Sequence, residues 1–277
     1  MDKKLMPLAG GMLLAALFIG GACGRESGKE RALDFESYEW SKITAGADAD
    51  SLALAIDGYS GRWQCSGRGV LPVNLGGKDV SVLRDTLAQL AGIEIGKKGE
   101  VAMRIPSEMR PLENANDTLP ARSRLVKNLS LNLLTPDVAV FRIYSYSYSE
   151  GAAHGVYANT YLNYDLAQGN VVTFADLFGI THDDAILAAI ADHLDEAGVE
   201  RFDFNDADDD AADASSARRL PLPTTFCITD TGVDFMYGIY TIAPYAAGEP
   251  RVSFNAYELA DWLTPAGRRL LGVETTE

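Results

Sequence analysis

Three tyrosines alternate with serines along Tyr144-Ser145-Tyr146-Ser147-Tyr148, and Tyr157, Tyr161 and Tyr164 follow shortly after. In an extended chain every second side chain points the same way, so the first three share one face and the later ones lie on the next strand. Such an aromatic face can stack on sugar rings or anchor a protein interface. It can equally cover a half-buried sheet and expose only hydroxyls. His154 sits in a turn of small residues, Gly151-Ala152-Ala153-His154-Gly155. There its imidazole either meets a ligand at the strand tip or ties the turn to nearby carbonyls. Tyr245, in the uncharged loop Ile242-Ala243-Pro244-Tyr245-Ala246-Ala247-Gly248, either projects or packs inward. The candidate ligand-binding residues are Tyr144, Tyr146, Tyr148, His154, Tyr157 and Tyr245.

Other polar clusters fail as chemistry. Thr181-His182-Asp183-Asp184 resembles the metal-binding Asp-Asp motif of polysaccharide deacetylases, but that shell also needs two histidines at helical spacing. The chain has 3 histidines, His154, His182 and His193, and none are three or four residues apart. In the acidic run from Asp203 to Asp213, acids fall at calcium-loop positions 1, 3 and 5 when the loop starts at Asp206. Ala211 then replaces the required Gly, and Ala217 the closing Glu. Both read as solvated acids, the first at a helix start. No nucleophile elbow, phosphate loop or dinucleotide fingerprint occurs. No catalytic residue, metal or cofactor is assigned, although carboxylate pairs of glycan hydrolases are spatial and leave no sequence mark.

The N-terminus carries an address. Lys3 and Lys4 precede the apolar run Leu13-Leu14-Ala15-Ala16-Leu17-Phe18-Ile19, and Gly20-Gly21-Ala22-Cys23 follows. This is the order of a secretory signal, and the run is shorter than the ~20 residues that span a bilayer. Small residues before a Cys resemble a bacterial lipobox, with Gly20 where such boxes usually carry Leu. The resemblance implies lipidation of Cys23 after loss of residues 1–22, leaving 23–33 as a polar tether. Acyl chains anchor firmly, since each buried CH₂ contributes about 0.8 kcal/mol. The location expected is the bacterial cell envelope, at the inner or outer membrane. Past the inner membrane thiols can oxidise, so the two cysteines left, Cys65 and Cys227, could pair or stay as buried thiols.

The 277 residues include 24 Lys+Arg and 39 Asp+Glu, a net charge of −15. Residues 1–22 carry Asp2, Lys3 and Lys4, so removing them takes −15 to −16. This balance argues against binding nucleic acid, whose phosphates would be repelled, and suits basic partners. Hydrophobic residues make up 47%, enough to rule out a disordered chain and to fill a core.

Local patterning predicts an α+β fold with an antiparallel sheet, a meander plus a hairpin, packed by helices in two lobes. An extended Gly69–Leu75 stretch precedes a helix from about Asp79, where Val82, Leu83, Leu87, Leu90 and Ala91 recur at helical spacing and Gly92 follows the end. Residues 109–124 read as a loop rich in Pro, Asn and Asp. Val138 to Tyr148, Val156 to Asp165 and Asn170 to Thr173 read as the meander. Ile186, Leu187, Ile190 and Leu194 stripe a helix from about Asp183. Asp230-Thr231-Gly232 signals a hairpin. A short strand spans Arg251 to Phe254, a short helix Tyr257 to Leu263, and Thr264-Pro265 starts a last helix.

Four stretches, in order, carry a family resemblance. They are Gly151-Ala152-Ala153-His154-Gly155, Asn163-Tyr164-Asp165-Leu166-Ala167-Gln168-Gly169, Thr173-Phe174-Ala175-Asp176-Leu177-Phe178 and Tyr240-Thr241-Ile242-Ala243-Pro244-Tyr245-Ala246-Ala247-Gly248. Together they resemble the extracytoplasmic domain of RsiV-type anti-sigma factors, which also accompanies PdaC-type peptidoglycan deacetylases. The resemblance implies an RsiV-like domain over 136–277 and a looser PdaC-like region over 34–135. Ala152 departs from it, since the family usually has Gly there. The resemblance implies recognition rather than catalysis: binding of a lysozyme-like protein or of peptidoglycan glycan. The sigma-binding segment and the deacetylase domain of those families are missing from the 277 residues. Two other readings stand beside it: a glycan-active hydrolase with paired carboxylates in a cleft, and a scaffold for other envelope proteins.

Overall fold

The computed structural model describes residues 33–44, 63–96, 100–104, 123–149, 152–179, 183–202 and 220–273. The signal segment, Cys23, the tether, Thr181, His182 and the acidic run lie outside them. The elements are β1 (Leu33–Thr44), β2 (Trp63–Leu75), α1 (Ser81–Ala91), β3 (Ile93–Ile95), β4 (Val101–Met103), β5 (Ser123–Leu134), β6 (Val138–Ser149), β7 (Val156–Asp165), β8 (Asn170–Val171), α2 (Phe174–Phe178), α3 (Asp183–Glu196), β9 (Thr225–Ile228), β10 (Gly232–Met236), β11 (Arg251–Asn255) and α4 (Pro265–Leu270).

Six strands form the main sheet in the order β1-β2-β5-β6-β7-β8. The β6-β7-β8 part is the expected meander and β5 adds a strand to it, with Tyr146 opposite both Val126 and Tyr157. β2 and β5 run parallel, from Trp63 opposite Ser123 to Gly69 opposite Leu129. A parallel pair needs a crossover, and here α1 and the β3-β4 hairpin supply it. The sheet therefore passes without a break through residue 135. β9, β10 and β11 form a second antiparallel sheet.

Strand alternation splits the apolar residues between the two faces of the main sheet. Ala139, Phe141 and Ile143 of β6 face α1, where Leu83 and Leu87 complete one core. Gly92 ends α1 at φ 66, and its N–H closes the last turn on Ala88 and Gln89; the left-handed value favours glycine. Val138 and Val140 face the other way and pack under the small sheet and α2, α3 and α4, with Phe178, Ile190 and Phe235 fully buried. The two cores lie on opposite faces of one sheet.

Two of the stretches that carry the resemblance hold this second layer in place. Asn163, 2% exposed, donates from Nδ2 to the Phe226 carbonyl and accepts the Ile228 N–H, both at 2.9 Å, which docks β9 on β7. Asp165 accepts the N–H groups of Ala167 and Gln168 at the β7-β8 turn and pairs with Arg269 of α4. Thr173 and Asp176 cap α2 reciprocally.

Cys65 and Cys227, left open as a pair or as separate buried thiols, are not bonded to each other: Cys65 is buried with Met103 and Leu125 on the α1 side, and Cys227 lies in the core of the opposite face. The sheet separates them, and Asn132 Nδ2 donates to the Cys227 sulfur at 3.4 Å. The helix expected from Tyr257 to Leu263 shrinks to a 3₁₀ turn over Ala260–Trp262. The Glu258 carboxylate turns back to accept the Asn255 N–H at 2.7 Å, and Pro265 bars extension forward. Among the described residues no helix is long and apolar enough to cross a membrane.

Candidate functional site

The other two resembling stretches meet at the far end of the β6-β7 hairpin. The His154 ring stacks on Tyr245, with centroids 3.7 Å apart and planes 25° from parallel. Tyr240 lies beside this pair, its ring centre 6.2 Å from that of His154 and 5.7 Å from that of Tyr245, with planes 27° and 39° apart. His154 Nδ1 lies 3.2 Å from the Gly155 carbonyl, which can only accept, so the proton sits on Nδ1. Nε2 then accepts from the Tyr240 hydroxyl at 3.1 Å. The Tyr245 hydroxyl donates to the same Gly155 carbonyl at 2.9 Å. The turn and the loop, 86 to 90 residues apart, are thus bonded through three rings.

Both segments are shaped for this contact. A Cβ on Gly155 would fall 2.4 Å from the Tyr146 hydroxyl and 2.5 Å from its ring, so glycine lets the ring lie against the turn. Tyr240 is the only non-glycine residue with positive φ, 63°, among the described residues, so Ala152 keeps an ordinary backbone. A left-handed backbone at a β-carbon residue costs roughly 1–2 kcal/mol and gathers at functional loops. Tyr240 is nonetheless 51% exposed, so burial of its ring does not explain the conformation.

A polar chain supports the stack. Glu249 accepts the Asn159 backbone N–H at 2.8 Å and its Nδ2 at 2.5 Å. Asn159 Oδ1 accepts from Arg142 Nε at 2.7 Å, and the Arg142 guanidinium lies 5.8 Å from the centre of the Tyr144 ring. Strand register puts Arg142, Tyr144, Tyr146, Tyr148, Tyr157 and Asn159 on one face. Tyr144, Tyr146, Tyr148 and Tyr157 are all half-buried. The lower part of this face is closed by the small sheet; this upper part carries tyrosines and polar groups instead of core.

Of the residues singled out from sequence, His154 and Tyr245 touch, Tyr146 and Tyr157 are cross-strand partners, Tyr144 lies beside Arg142, and Tyr148 lies opposite Arg124 at the far end. Sequence reading missed Tyr240, Arg142, Asn159 and Glu249. Only spatial approach joins them; Tyr240 opens a stretch that carries the family resemblance, but nothing in the sequence ties it to His154. His193 stands apart, bonded to the Ala189 carbonyl of its own helix and packed on Phe254.

The chemistry available is stacking and hydrogen bonding. His154 is spent on a carbonyl and a tyrosine hydroxyl, not on a nucleophile. Asp137 and Asp165 meet through Arg269, whose single positive charge they share. Among the described residues no three of His, Cys, Asp and Glu converge as metal ligands.

Residues 175–257 match DUF3298, a protein family of unknown function. The match takes in the small sheet, α2, α3 and the loop bearing Tyr240 and Tyr245, while His154 lies before it. Solved structures agree at the level of fold. A DUF3298 family protein from Pseudomonas aeruginosa PAO1 is similar with a TM-score of 0.54 at 15% identity, over 85% of this chain and 96% of that one. A DUF3298 family member from Bacteroides fragilis NCTC 9343 is similar with a TM-score of 0.56 at 17% identity, over 90% of this chain and all of the other. No curated protein matches the sequence. The DUF3298-like segment thus supplies two of the three rings, Tyr240 and Tyr245, and the preceding hairpin supplies His154.

Proposed function

We propose that this chain is a non-catalytic recognition module of the bacterial cell envelope, exported by residues 1–22 and tethered by lipid on Cys23. Its ligand is the glycan strand of peptidoglycan, taken at the tip of the β6-β7 hairpin. The resemblance to RsiV-type and PdaC-type domains supports this reading. The observation that carries it is the cluster of Tyr240, His154 and Tyr245, with Tyr240 half exposed and strained beside the row of tyrosines on β6. Aromatic rings with a polar tip suit sugars, whose apolar faces stack while their hydroxyls bond at the edges. A basic lysozyme-like protein is the other partner the resemblance implies. It suits the net charge but meets Arg142 at this face.

The test is a binding screen of residues 24–277 against chitin oligosaccharides, purified muropeptides and lysozymes at physiological salt. Binding of the sugars, weakened at least tenfold by Tyr240→Ala or Tyr245→Ala, is expected. Retention of lysozyme alone would replace glycan with protein as ligand, and no retention of either would remove the reading. Fractionation with labelled palmitate tests the anchor: label on the wild-type chain and none on Cys23→Ser is expected.

A further inference from the structure

We infer that the tyrosine-bearing half of the main sheet selects sugar chains that carry carboxylates, and that Arg124 and Arg142 read that charge. This deepens the glycan reading above and rests on it.

The first ground is charge placement. The chain carries 39 acids against 24 Lys+Arg, so a random patch is acidic. Register nevertheless sets Arg68 of β2, Arg124 of β5 and Arg142 of β6 on the same face as Tyr144, Tyr146 and Tyr148. Two acids share the region. Glu39 stands opposite Arg68 on β1, and Glu249 already accepts two bonds from Asn159. Arg124 and Arg142 have no carboxylate partner of their own among the described residues.

The second ground is the state of these two guanidinium groups. Arg124 Nε is buried and has no hydrogen-bond partner. A buried donor left unmade is costly, and since the Nε is closed to solvent an acceptor would meet the outer nitrogens of the same half-buried guanidinium. Arg142 is held by Asn159 through Nε and lies over the Tyr144 ring, which leaves the outer nitrogens of its planar fork for a bidentate acceptor. Geometry joins the two. Arg124 is directly opposite Tyr148, and from Tyr148 to Arg142 the strand runs six residues, roughly 20 Å at ~3.3 Å per residue. Three tyrosines fill the interval. The face is a rail with stacking rings along it and a cation at each end, which fits an extended acidic oligosaccharide. The occupant is a peptidoglycan glycan strand freed of its stem peptides, bound through the lactyl carboxylates that this exposes on its muramic acid residues.

The experiment titrates the full chain in detergent with three probes by calorimetry: an N-acetylglucosamine–N-acetylmuramic acid tetrasaccharide, its carboxyl methyl ester, and neutral chitotetraose. The free acid is expected to bind about tenfold more tightly than the ester, the scale of a charge-assisted contact, with the gap closing at high salt. Arg124→Gln and Arg142→Gln should each bring the acid-to-ester ratio close to one. Because the ester changes only the ligand, the comparison stands even if a variant fails to fold. Equal binding of all three probes overturns charge selection and leaves the glycan reading intact. Equal loss of acid and ester in the arginine variants also overturns it. Binding of none overturns both.

Discussion

The two ends of the β6-β7 hairpin are made of different material. Toward Val138 and Asp165 both strands are buried on both faces: Val138, Ala139, Val140 and Phe141 on one strand, Leu162, Asn163, Tyr164 and Asp165 on the other. Toward Ser149 and Val156 the same strands carry tyrosine, serine and asparagine, and burial gives way to exposure. The closed end has the small sheet on one side and α1 on the other. The open end leaves Ser147, Ser149 and Val156 exposed on α1's side and carries half-buried rings with Arg142 on the opposite face. One hairpin thus serves as a core element at one end and as a display surface at the other, and strand rigidity carries the precision of the first to the second.

The sharpest way to break this comparison is at the closed end. Phe141→Ala should cost about 3–5 kcal/mol by cavity formation, read from urea midpoints. Arg269→Ala leaves the buried Asp165 carboxylate without its cation and should cost about 2–3 kcal/mol, less than a fully buried pair because Arg269 is partly exposed. If either changed glycan binding without changing stability, the division of labour would be wrong.

The closed end should also fail in alkali. Burial pushes the Cys227 thiol from 9.0 up to about 12, and burial likewise raises the Tyr237 hydroxyl. For such acids the unfolded chain ionises first. Their stabilising contribution is whole below the unfolded values and is lost as pH rises through the folded ones. Urea midpoints should therefore fall from about pH 9 upward, and Cys227 should resist alkylation at pH 8 until the protein is unfolded.

The open end should answer in the opposite sense. Gly155→Ala drives a methyl into the Tyr146 ring and should cost about 1–3 kcal/mol by overpacking while abolishing glycan binding. The smallest effect belongs to Tyr38, whose buried hydroxyl has no hydrogen-bond partner and whose ionisation burial pushes up to about 12. Tyr38→Phe removes an unmet polar group, so stability should stay level or rise by about 1 kcal/mol. A loss there would mean the hydroxyl is bonded in solution.

These contrasts also explain which parts could be read from sequence. β6 and β7 alternate β-branched and aromatic residues, α1 has a clean stripe closed by Gly92, and the turn before Gly232 marks its hairpin; local physics suffices for each. β1 and β5 escaped it. β1 mixes Asp, Glu and Lys into an edge strand, and β5 holds Lys127, Asn128 and Asn132, residues poor in strand propensity that neighbouring strands override. At the site, His154 and Tyr245 drew notice by their settings. Tyr240 did not, because its meaning comes from a ring 86 residues earlier in the chain.

The parallel alignment of β2 with β5 bears on the order of assembly. The β5-β6-β7-β8 meander closes through short connections and can form early. β1 and β2 must wait for α1 and the β3-β4 hairpin to swing the chain round before they find their edge. The aromatic tip is therefore raised on the fast-forming part of the molecule, and Arg68 arrives with the late one. A trapped species lacking its first two strands would already hold the tyrosine row, with one margin of the rail still unbuilt.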